Sequence, residues 1–206
     1  MALTGSPLIH EVGKRVLGRY LGTAGARDVE LSPAMRTDGT GIDIRRIEGM
    51  TAVTAKVRVD YYFGHDQAKI ANRDLTFYST ATASYALEAI ADTATRAPGW
   101  VLTSLADQLL YYRIALPRPE AEIAALLESP DGVFFSELGV DRDELRIVPM
   151  RALRDWFERS NDRYTPRPVI TGGRSAWYRI VPMAELDAAV PGVTVVGPIY
   201  SLLAVR

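Results

Sequence analysis

Lys56 is the first residue in this chain whose type and position suggest chemistry. The chain holds three lysines, Lys14, Lys56 and Lys69, among its 24 cationic residues, so it nearly always uses arginine. Lys56 stands in segment 51–60, TAVTAKVRVD, where apolar and polar residues alternate as in a strand with one buried face. An ammonium in such a strand supplies a compact point charge, unlike a guanidinium. The alternative is a surface lysine whose stem packs while its charge reaches water.

Asp43 is the acidic residue that the local pattern brings nearest to Lys56. It belongs to segment 41–47, GIDIRRI, which alternates in the same way as the lysine strand. A Glu48-Gly49 turn joins the two segments and predicts a β-hairpin. The hairpin would carry Asp43 near the far end of one strand and Lys56 on the other, so that a carboxylate and an ammonium lie on neighbouring strands.

Three other groups of residues could act in binding or catalysis. The aromatic run 61–63 could stack on bases, although aromatic residues where a strand meets a loop commonly belong to the core. His65-Asp66 could form an acid/base pair or simply a surface turn. Segment 141–180 holds nine arginines against six acidic residues. That excess would favour phosphates, and solvated arginines explain it equally well.

Composition limits the function classes. The 206 residues are 48% hydrophobic and 24% charged, which is typical of a globular chain. The chain has no cysteine, which excludes a disulfide framework, a thiolate metal site and a thiol nucleophile. With His10 and His65 as the two histidines, a histidine zinc site or a Ser-His-Asp triad is not expected. A net charge of −1 argues against nonspecific coating of nucleic acid, but not against a local basic patch.

Membrane insertion is not expected either. No apolar run reaches the roughly 18 residues that a membrane helix requires. Glu11, Lys14 and Arg15 place charges inside the N-terminal segment, so we expect neither a signal peptide nor a membrane anchor there. We therefore expect a cytoplasmic protein without a membrane segment.

The elements that must position these residues alternate between helices and strands. Ser6-Pro7 and the apolar residues after it predict a helix over 7–21, and a capping box with a helical stripe predicts another over 104–116. Segment 84–92, SYALEAIAD, fits either a strand or an alanine-rich helix. The remaining expectations are a short strand near Val29 and Leu31, loops over 33–40 and 60–74, helices over 119–128 and 151–160, strands over 145–150 and 177–181, a helix begun by Pro182, and one or two strands over 194–205. No linker separates these pieces, so we predict a single α/β domain over 1–206, with a core over 6–116 and a C-terminal strand-helix extension over 117–206.

The predicted order of helix, hairpin, further strand and helix resembles the core of the PD-(D/E)XK nuclease superfamily, the restriction-endonuclease-like fold. Asp43 matches the first aspartate of that motif and Lys56 matches its lysine. Segment 97–112, APGWVLTSLADQLLYY, is similar to the Gly-Trp and Ser-x-Ala-Asp helix of some phage and bacterial members. The resemblance covers about residues 6–116, and it implies an α/β fold with a central mixed β-sheet flanked by helices.

The resemblance also implies a divalent-metal site, with one departure from the motif. Thr54 stands two positions before Lys56, where the superfamily has aspartate or glutamate. If the ambiguous segment around Glu88 is a strand beside the lysine strand, Glu88 supplies the second carboxylate, and Glu11 on the first helix is a further candidate. The resemblance therefore implies catalytic residues Asp43, Lys56 and Glu88, metal ligands Asp43, Glu88 and Glu11, and Mg²⁺ or Mn²⁺ as cofactor, with no organic cofactor.

The function implied by this resemblance is metal-dependent hydrolysis of phosphodiester bonds in DNA. The alternative, which Thr54 favours, is a catalytically inactive nuclease-like protein that serves as a nucleic-acid-binding or protein-interaction module. Such a protein could form a homodimer through its apolar C-terminal strands. A third alternative, an α/β protein that binds a small molecule, would need a pocket that the sequence does not indicate.

Overall fold

The computed structural model describes residues 5–33, 39–61, 83–171 and 173–203, which form helices and two β-sheets. The helices are α1 (Gly5–Thr23), α2 (Trp100–Thr103), α3 (Glu120–Leu127), α4 (Asp131–Glu137), α5 (Met150–Ser160) and α6 (Met183–Ala189). The strands are β1 (Arg27–Leu31), β2 (Ile44–Glu48), β3 (Thr51–Tyr61), β4 (Ser84–Asp92), β5 (Ala97–Pro98), β6 (Gln108–Ala115), β7 (Arg142–Pro149), β8 (Pro166–Thr171), β9 (Arg174–Pro182) and β10 (Thr194–Val196). Short 3-10 helices span Asn161–Arg163 and Tyr200–Leu202.

The larger sheet is mixed and has the strand order β1-β2-β3-β6-β7-β10. Strands β1 to β3 form an antiparallel meander, β6 runs parallel to β3, and β7 and β10 continue antiparallel. The smaller sheet is antiparallel and has the order β5-β4-β9-β8. The sequence prediction of an α/β protein with a central mixed sheet and flanking helices is therefore confirmed.

Two hydrophobic cores lie on the two faces of the larger sheet. One face packs against α1, α3, α4 and the C-terminal 3-10 helix. The other packs against α2, α5, α6 and the inner residues of the smaller sheet. Strands on both sides of Pro117 pair within each sheet, because β7 pairs with β6 and β9 pairs with β4. None of the helices described is both long and apolar enough to cross a membrane.

Helix α1 confirms the prediction over 7–21 and lies across the meander. Its apolar residues recur every three or four positions, so one face of the helix is buried. That face comprises Leu8, Ile9, Val12, Val16, Leu17 and Leu21. Gly13 allows a close approach to β3, since a Cβ atom there would lie 2.2 Å from Val59 Cγ2. The helix therefore rests directly on the strand that carries Lys56.

The helix predicted over 104–116 is wrong. Residues Gln108–Ala115 form β6, a strand at the centre of the larger sheet. Leu109 and Tyr111 enter one core while Leu110 and Tyr112 enter the other, so the strand is buried on both faces. A strand buried on both faces reads as a continuous apolar run without alternation, and such a run can imitate a helical stripe.

Segment 84–92 is a strand and not an alanine-rich helix, which decides between the two alternatives that the sequence left open. It pairs with β9 and β5 in the smaller sheet, however, and not with β3. The expected placement of Glu88 on a strand beside Lys56 is therefore wrong. Local sequence could not have predicted this partner, because Glu88 pairs in register with Tyr178, far along the chain.

The remaining predictions are largely confirmed. The observed elements match the predicted β2–β3 hairpin, the strand near Val29, the helices over 119–128 and 151–160, and the strands and helix that surround Pro149 and Pro182. Each of these two prolines precedes a buried methionine that begins a helix. The C-terminal prediction of one or two strands yields one, β10. The predictions for 62–74, including Tyr62-Phe63 and His65-Asp66, lie outside the described residues, as does most of the predicted loop over 33–40.

Gly99 offers a direct test of how closely the segment before α2 approaches β4. A Cβ atom at Gly99 would lie 2.0 Å from the backbone carbonyl oxygen of Glu88, so the backbone would have to shift. We expect Gly99→Ala to lower the free energy of unfolding, measured in urea, by about 2 kcal/mol or more. Gly132→Ala in α4 is the control, because its Cβ would meet nothing within 4 Å; it should be neutral or stabilising by up to about 1 kcal/mol. Equal stabilities for the two variants would contradict this close approach.

Candidate functional site

The Asp43 carboxylate extends the hydrogen-bonded ladder between β2 and β3 beyond the last backbone pair. The Asp43 N–H donates to the Ala55 carbonyl at 2.8 Å. The Asp43 side chain then accepts the Val57 N–H through Oδ2 at 2.7 Å. Lys56 Nζ lies 3.1 Å from the same oxygen, and His10 Nε2 lies 3.4 Å from Oδ1. The site therefore joins β2, β3 and α1 through one carboxylate.

The environment of Asp43 keeps its carboxyl group ionised. Burial by itself would raise the pKa of Asp43. The hydrogen bond from His10, the charge of Lys56 and the Val57 N–H together outweigh burial and lower the pKa to about 2. At neutral pH the site thus holds a carboxylate that is compensated on both of its oxygens.

Asp43 and Lys56 lie together, as the predicted hairpin required, and His10 is the member that sequence reasoning missed. The side chains of Asp43, Lys56 and His10 are 14%, 16% and 25% exposed, so the cluster is half-buried and reachable from solvent. His10 follows Ile9, which faces the core. This position beside the buried face of α1 indicates that His10 lies where the helix meets the sheet. That was the signal in the sequence that could have identified it.

Thr54 has a structural partner, which explains a hydroxyl at the position where the superfamily motif has an acid. Asp107 Oδ2 accepts both the Thr54 N–H at 2.8 Å and the Thr54 hydroxyl at 2.7 Å. In return, the Asp107 N–H contacts the Thr54 hydroxyl and carbonyl oxygens, both at 3.1 Å. The pair lies where β6 begins to run parallel to β3. Thr54 and Asp107 therefore hold β3 and β6 together at the point where the pairing of these two strands begins.

Glu88 is committed to a separate cluster of aromatic and cationic side chains. Its Oε1 accepts a hydrogen bond from the backbone N–H of Trp100 at 3.2 Å, and its Oε2 accepts one from the hydroxyl of Tyr178 at 2.7 Å. The Arg58 guanidinium lies 5.8 Å from the centroid of the Trp100 ring and 5.9 Å from that of the Tyr178 ring. Burial is the main cause that raises the pKa of Tyr178 to about 12; Glu88 also raises it, while Arg58 opposes the rise. Both oxygens of Glu88 are thus engaged away from Asp43.

Glu11 is also engaged elsewhere. Its Oε1 lies 2.7 Å from Lys14 Nζ, one turn along α1. Lys14 is almost fully buried and donates to the Ser32 carbonyl at 2.7 Å. Glu11 therefore neutralises a buried ammonium, and its removal would leave that charge without its carboxylate.

The donors present do not fit a magnesium site of the predicted type. Mg²⁺ takes oxygen ligands in octahedral geometry and is usually held by one or two carboxylates. Here Asp43 Oδ2 already faces an ammonium and an N–H, while Glu11 and Glu88 have other partners. Among the described residues, no three His, Asp or Glu side chains are grouped closely enough to hold a metal ion.

Comparison of the chain with protein-family models, with curated proteins and with solved structures gives no match.

Asp43→Asn tests the electrostatic role of the carboxylate through pH. Because the folded state lowers the pKa of Asp43 from 3.8 to about 2, its stabilisation is full above the unfolded pKa and is lost as pH falls through the folded pKa. The shift corresponds to about 2 kcal/mol. We expect Asp43→Asn to be less stable than the wild type by about that amount at pH 7, with the difference roughly halved at pH 3.

Urea unfolding measured at several pH values checks this expectation. Asp155→Asn, at an exposed position of α5, is the control for removal of one carboxylate; it should change stability little at pH 7. A difference between Asp43→Asn and the wild type that stays constant from pH 7 to pH 3 would contradict the electrostatic role.

A double-mutant cycle tests the pairing of Thr54 with Asp107. Thr54→Asp alone would place two carboxylates together, so we expect a loss of about 2 kcal/mol in unfolding free energy. The exchange Thr54→Asp with Asp107→Thr restores a hydroxyl opposite a carboxylate and should recover at least half of that loss. If the two changes simply add, the reciprocal contact does not stabilise the fold as described.

Proposed function

We propose that this protein binds nucleic acid on a restriction-endonuclease-like framework, and that it does not hydrolyse phosphodiester bonds through a metal at Asp43. Support for the framework comes from the order of elements. Helix α1 precedes the β1 to β3 meander, and β6 then lies beside β3 in the mixed sheet. Asp43 and Lys56 are adjacent at 3.1 Å across β2 and β3, as the resemblance implies.

The observation that carries the second part of the proposal, the absence of metal catalysis, is that both oxygens of the Asp43 carboxylate already have partners. Nucleic-acid binding rests on the resemblance alone. A divalent ion would have to displace Lys56 from Oδ2 and compete with a backbone N–H that belongs to the strand ladder. Removing partners from a half-buried ionised group costs free energy, because the remaining charges lose their compensation. The two other carboxylates implied by the resemblance would also lose their present partners on binding a metal. Glu11 would lose its ion pair with Lys14, and Glu88 would lose its hydrogen bonds with Trp100 and Tyr178.

The second candidate is the metal-dependent nuclease itself, acting on DNA with Mg²⁺ or Mn²⁺. It is favoured by the low pKa of Asp43, since a ligand must be ionised to hold a cation, and by the nearby ammonium of Lys56. Lys56 would stabilise negative charge on a phosphate in that reaction. The two candidates differ in one measurable property, which is cleavage that depends on both the metal and Asp43.

Binding and cleavage can be measured in the same samples. We expect fluorescently labelled DNA or RNA oligonucleotides to bind in an anisotropy titration, with an affinity that falls as salt rises. The affinity should be the same with EDTA, Mg²⁺ or Mn²⁺, and denaturing gels of the same mixtures should show intact oligonucleotide. Asp43→Asn should bind like the wild type at neutral pH, provided that its folding is verified by circular dichroism.

Two outcomes would overturn the proposal in different ways. Cleavage that requires Mg²⁺ or Mn²⁺ and disappears in both Asp43→Asn and Lys56→Ala would establish the nuclease instead. Failure of single-stranded and double-stranded DNA and RNA to bind at low salt would remove nucleic acid as the partner.

A further inference from the structure

A groove runs beside the outer edge of the larger sheet, between α1, β1 and the connection from α3 to α4. Its volume is about 600 Å³, within the range of roughly 300–1,000 Å³ that is typical of ligand sites. Apolar surface comes from Gly18 in α1, from Val29 and Leu31 in β1, and from Leu127 in α3. Charged residues of α1 and of segment 128–131 complete the lining. The groove therefore combines apolar and charged surface next to an edge strand.

Strand β1 presents an open main-chain edge at Leu31. The strand lies at the end of the larger sheet, next to β2 alone. The N–H of Ser32 donates to the Asp43 carbonyl at 2.8 Å, on the β2 side. Because main-chain groups alternate in direction along a strand, the N–H and C=O of Leu31 face away from β2, and neither has a hydrogen-bond partner within the described ranges. An extended segment that pairs with this edge places every second side chain over the groove.

Apolar side chains are incompletely covered where this edge is open. The Leu31 side chain is 42% exposed and lies against Gly18, where a Cβ atom would be 2.9 Å from Leu31 Cδ2. Val29 and Leu127 are also only partly buried against the core beneath them. The lack of a side chain at Gly18 thus leaves apolar surface that a side chain of a bound ligand would remove from water.

Charges of both signs in the groove are left for a ligand. Arg15 is fully engaged, because it donates to the Asp131 carboxylate and to two main-chain carbonyls, and Glu11 has its ion pair along α1. The Arg19 side chain is 44% exposed, and its guanidinium lies 3.9 Å from Asp131, beyond hydrogen-bonding distance. Glu128 is exposed and makes no ion pair within the part of the chain described. The groove therefore offers one guanidinium and one carboxylate, which fit a ligand that carries both signs better than a polyanion.

A second copy of this chain is a poor partner for the edge of β1. An antiparallel register centred on Glu30 would set the two Glu30 carboxylates opposite each other, and like charges in that position are destabilising. A register centred on Leu31 would set Pro33, which has no N–H, opposite Val29. A bulge and a φ of 50° at Asp28 disrupt a register centred on Val29. The edge is therefore suited to a segment of different sequence.

We infer that this groove binds an extended peptide segment of another protein, which adds to β1 as a strand and places an apolar side chain on Leu31, a basic one at Glu128 and an acidic one at Arg19. Main-chain hydrogen bonds at the Leu31 edge supply part of the affinity, and the alternate side chains in the groove supply specificity. The bulge at Asp28 keeps the paired region short, so the side chains decide which segment binds. This site is separate from nucleic-acid binding and does not depend on it.

Labelled peptides test the apolar contact. The probes are fluorescein-labelled Thr-Lys-Thr-Leu-Thr-Glu-Thr and its reverse, Thr-Glu-Thr-Leu-Thr-Lys-Thr, which place the three distinctive side chains on one face of a strand in either direction. We expect one of the two orders to bind in an anisotropy titration. Gly18→Leu should weaken that binding about tenfold, because its side chain fills the groove. Gly22→Leu, also in α1, is the matched control and should bind like the wild type, since its Cβ would meet nothing within 4 Å.

Charge exchange and backbone methylation test the other two contacts. Glu128→Lys should weaken binding about threefold, and a probe with glutamate in place of its lysine should bind this variant better than the original probe does. Glu158→Lys, at an exposed position of α5, is the control and should bind like the wild type. Methylation of the backbone nitrogens of the probe, one at a time, should weaken binding at alternate residues, because only every second N–H of an added strand faces β1.

Four results would overturn the inference. Neither probe order binds the wild type at millimolar peptide, or Gly18→Leu, with its fold verified by circular dichroism, binds as tightly as the wild type. Equal effects of methylation at every position would rule out strand addition, and Glu128→Lys tests the same groove at an exposed residue that is not needed for packing. Displacement of the bound peptide by an oligonucleotide would show that the groove takes a polyanion instead.

Discussion

The Asp43 carboxylate is the contact on which the N-terminal half of the fold depends. It accepts the Val57 N–H, faces the Lys56 ammonium and approaches the ring of His10 from α1. A carboxylate that is largely withdrawn from water is tolerated when its lone pairs are compensated, and it becomes costly when one partner is removed. The atoms that a nuclease would assign to a metal are therefore already part of the framework that positions β2, β3 and α1.

A similar constraint governs the junction between β3 and β6. Parallel strands need a crossover, and the segment between these two strands contributes β4 and β5 to the smaller sheet before the chain returns as β6. Thr54 and Asp107 fix the point at which β6 joins β3. An acidic residue at position 54 would oppose Asp107, so the hydroxyl is what this junction requires. The hydroxyl at position 54 thus has a physical reason in the fold itself.

The parts of the structure that could be predicted from the sequence are those specified by local periodicity. The spacing of apolar residues predicted α1, and the alternation in segments 41–47 and 51–60, joined by the Glu48-Gly49 turn, was enough to bring Asp43 beside Lys56. The strand β6 was missed because burial on both faces removes alternation, and an apolar run with a coincidental stripe then resembles a helix. Glu88 was misplaced because the choice of sheet for β4 depends on pairing with a strand about ninety residues away. His10 was missed because only its contact with Asp43 in the folded chain distinguishes it from the other polar residues of α1.

Charge is distributed differently around Asp43 and in the β8–β9 hairpin. Around Asp43, the carboxylate and the ammonium neutralise each other, so this cluster projects little field beyond the roughly 8 Å over which salt screens exposed charges. Arginines are frequent in the β8–β9 hairpin, since residues 163–184 contain four of them and no acidic residue. Tyr178 nevertheless links the two regions, because it follows Trp177 in β9, donates to Glu88 and lies beside Arg58, two residues from Lys56. The compensated cluster at Asp43 therefore joins α1, β2 and β3 without depending on the charges of β9, which belongs to the smaller sheet.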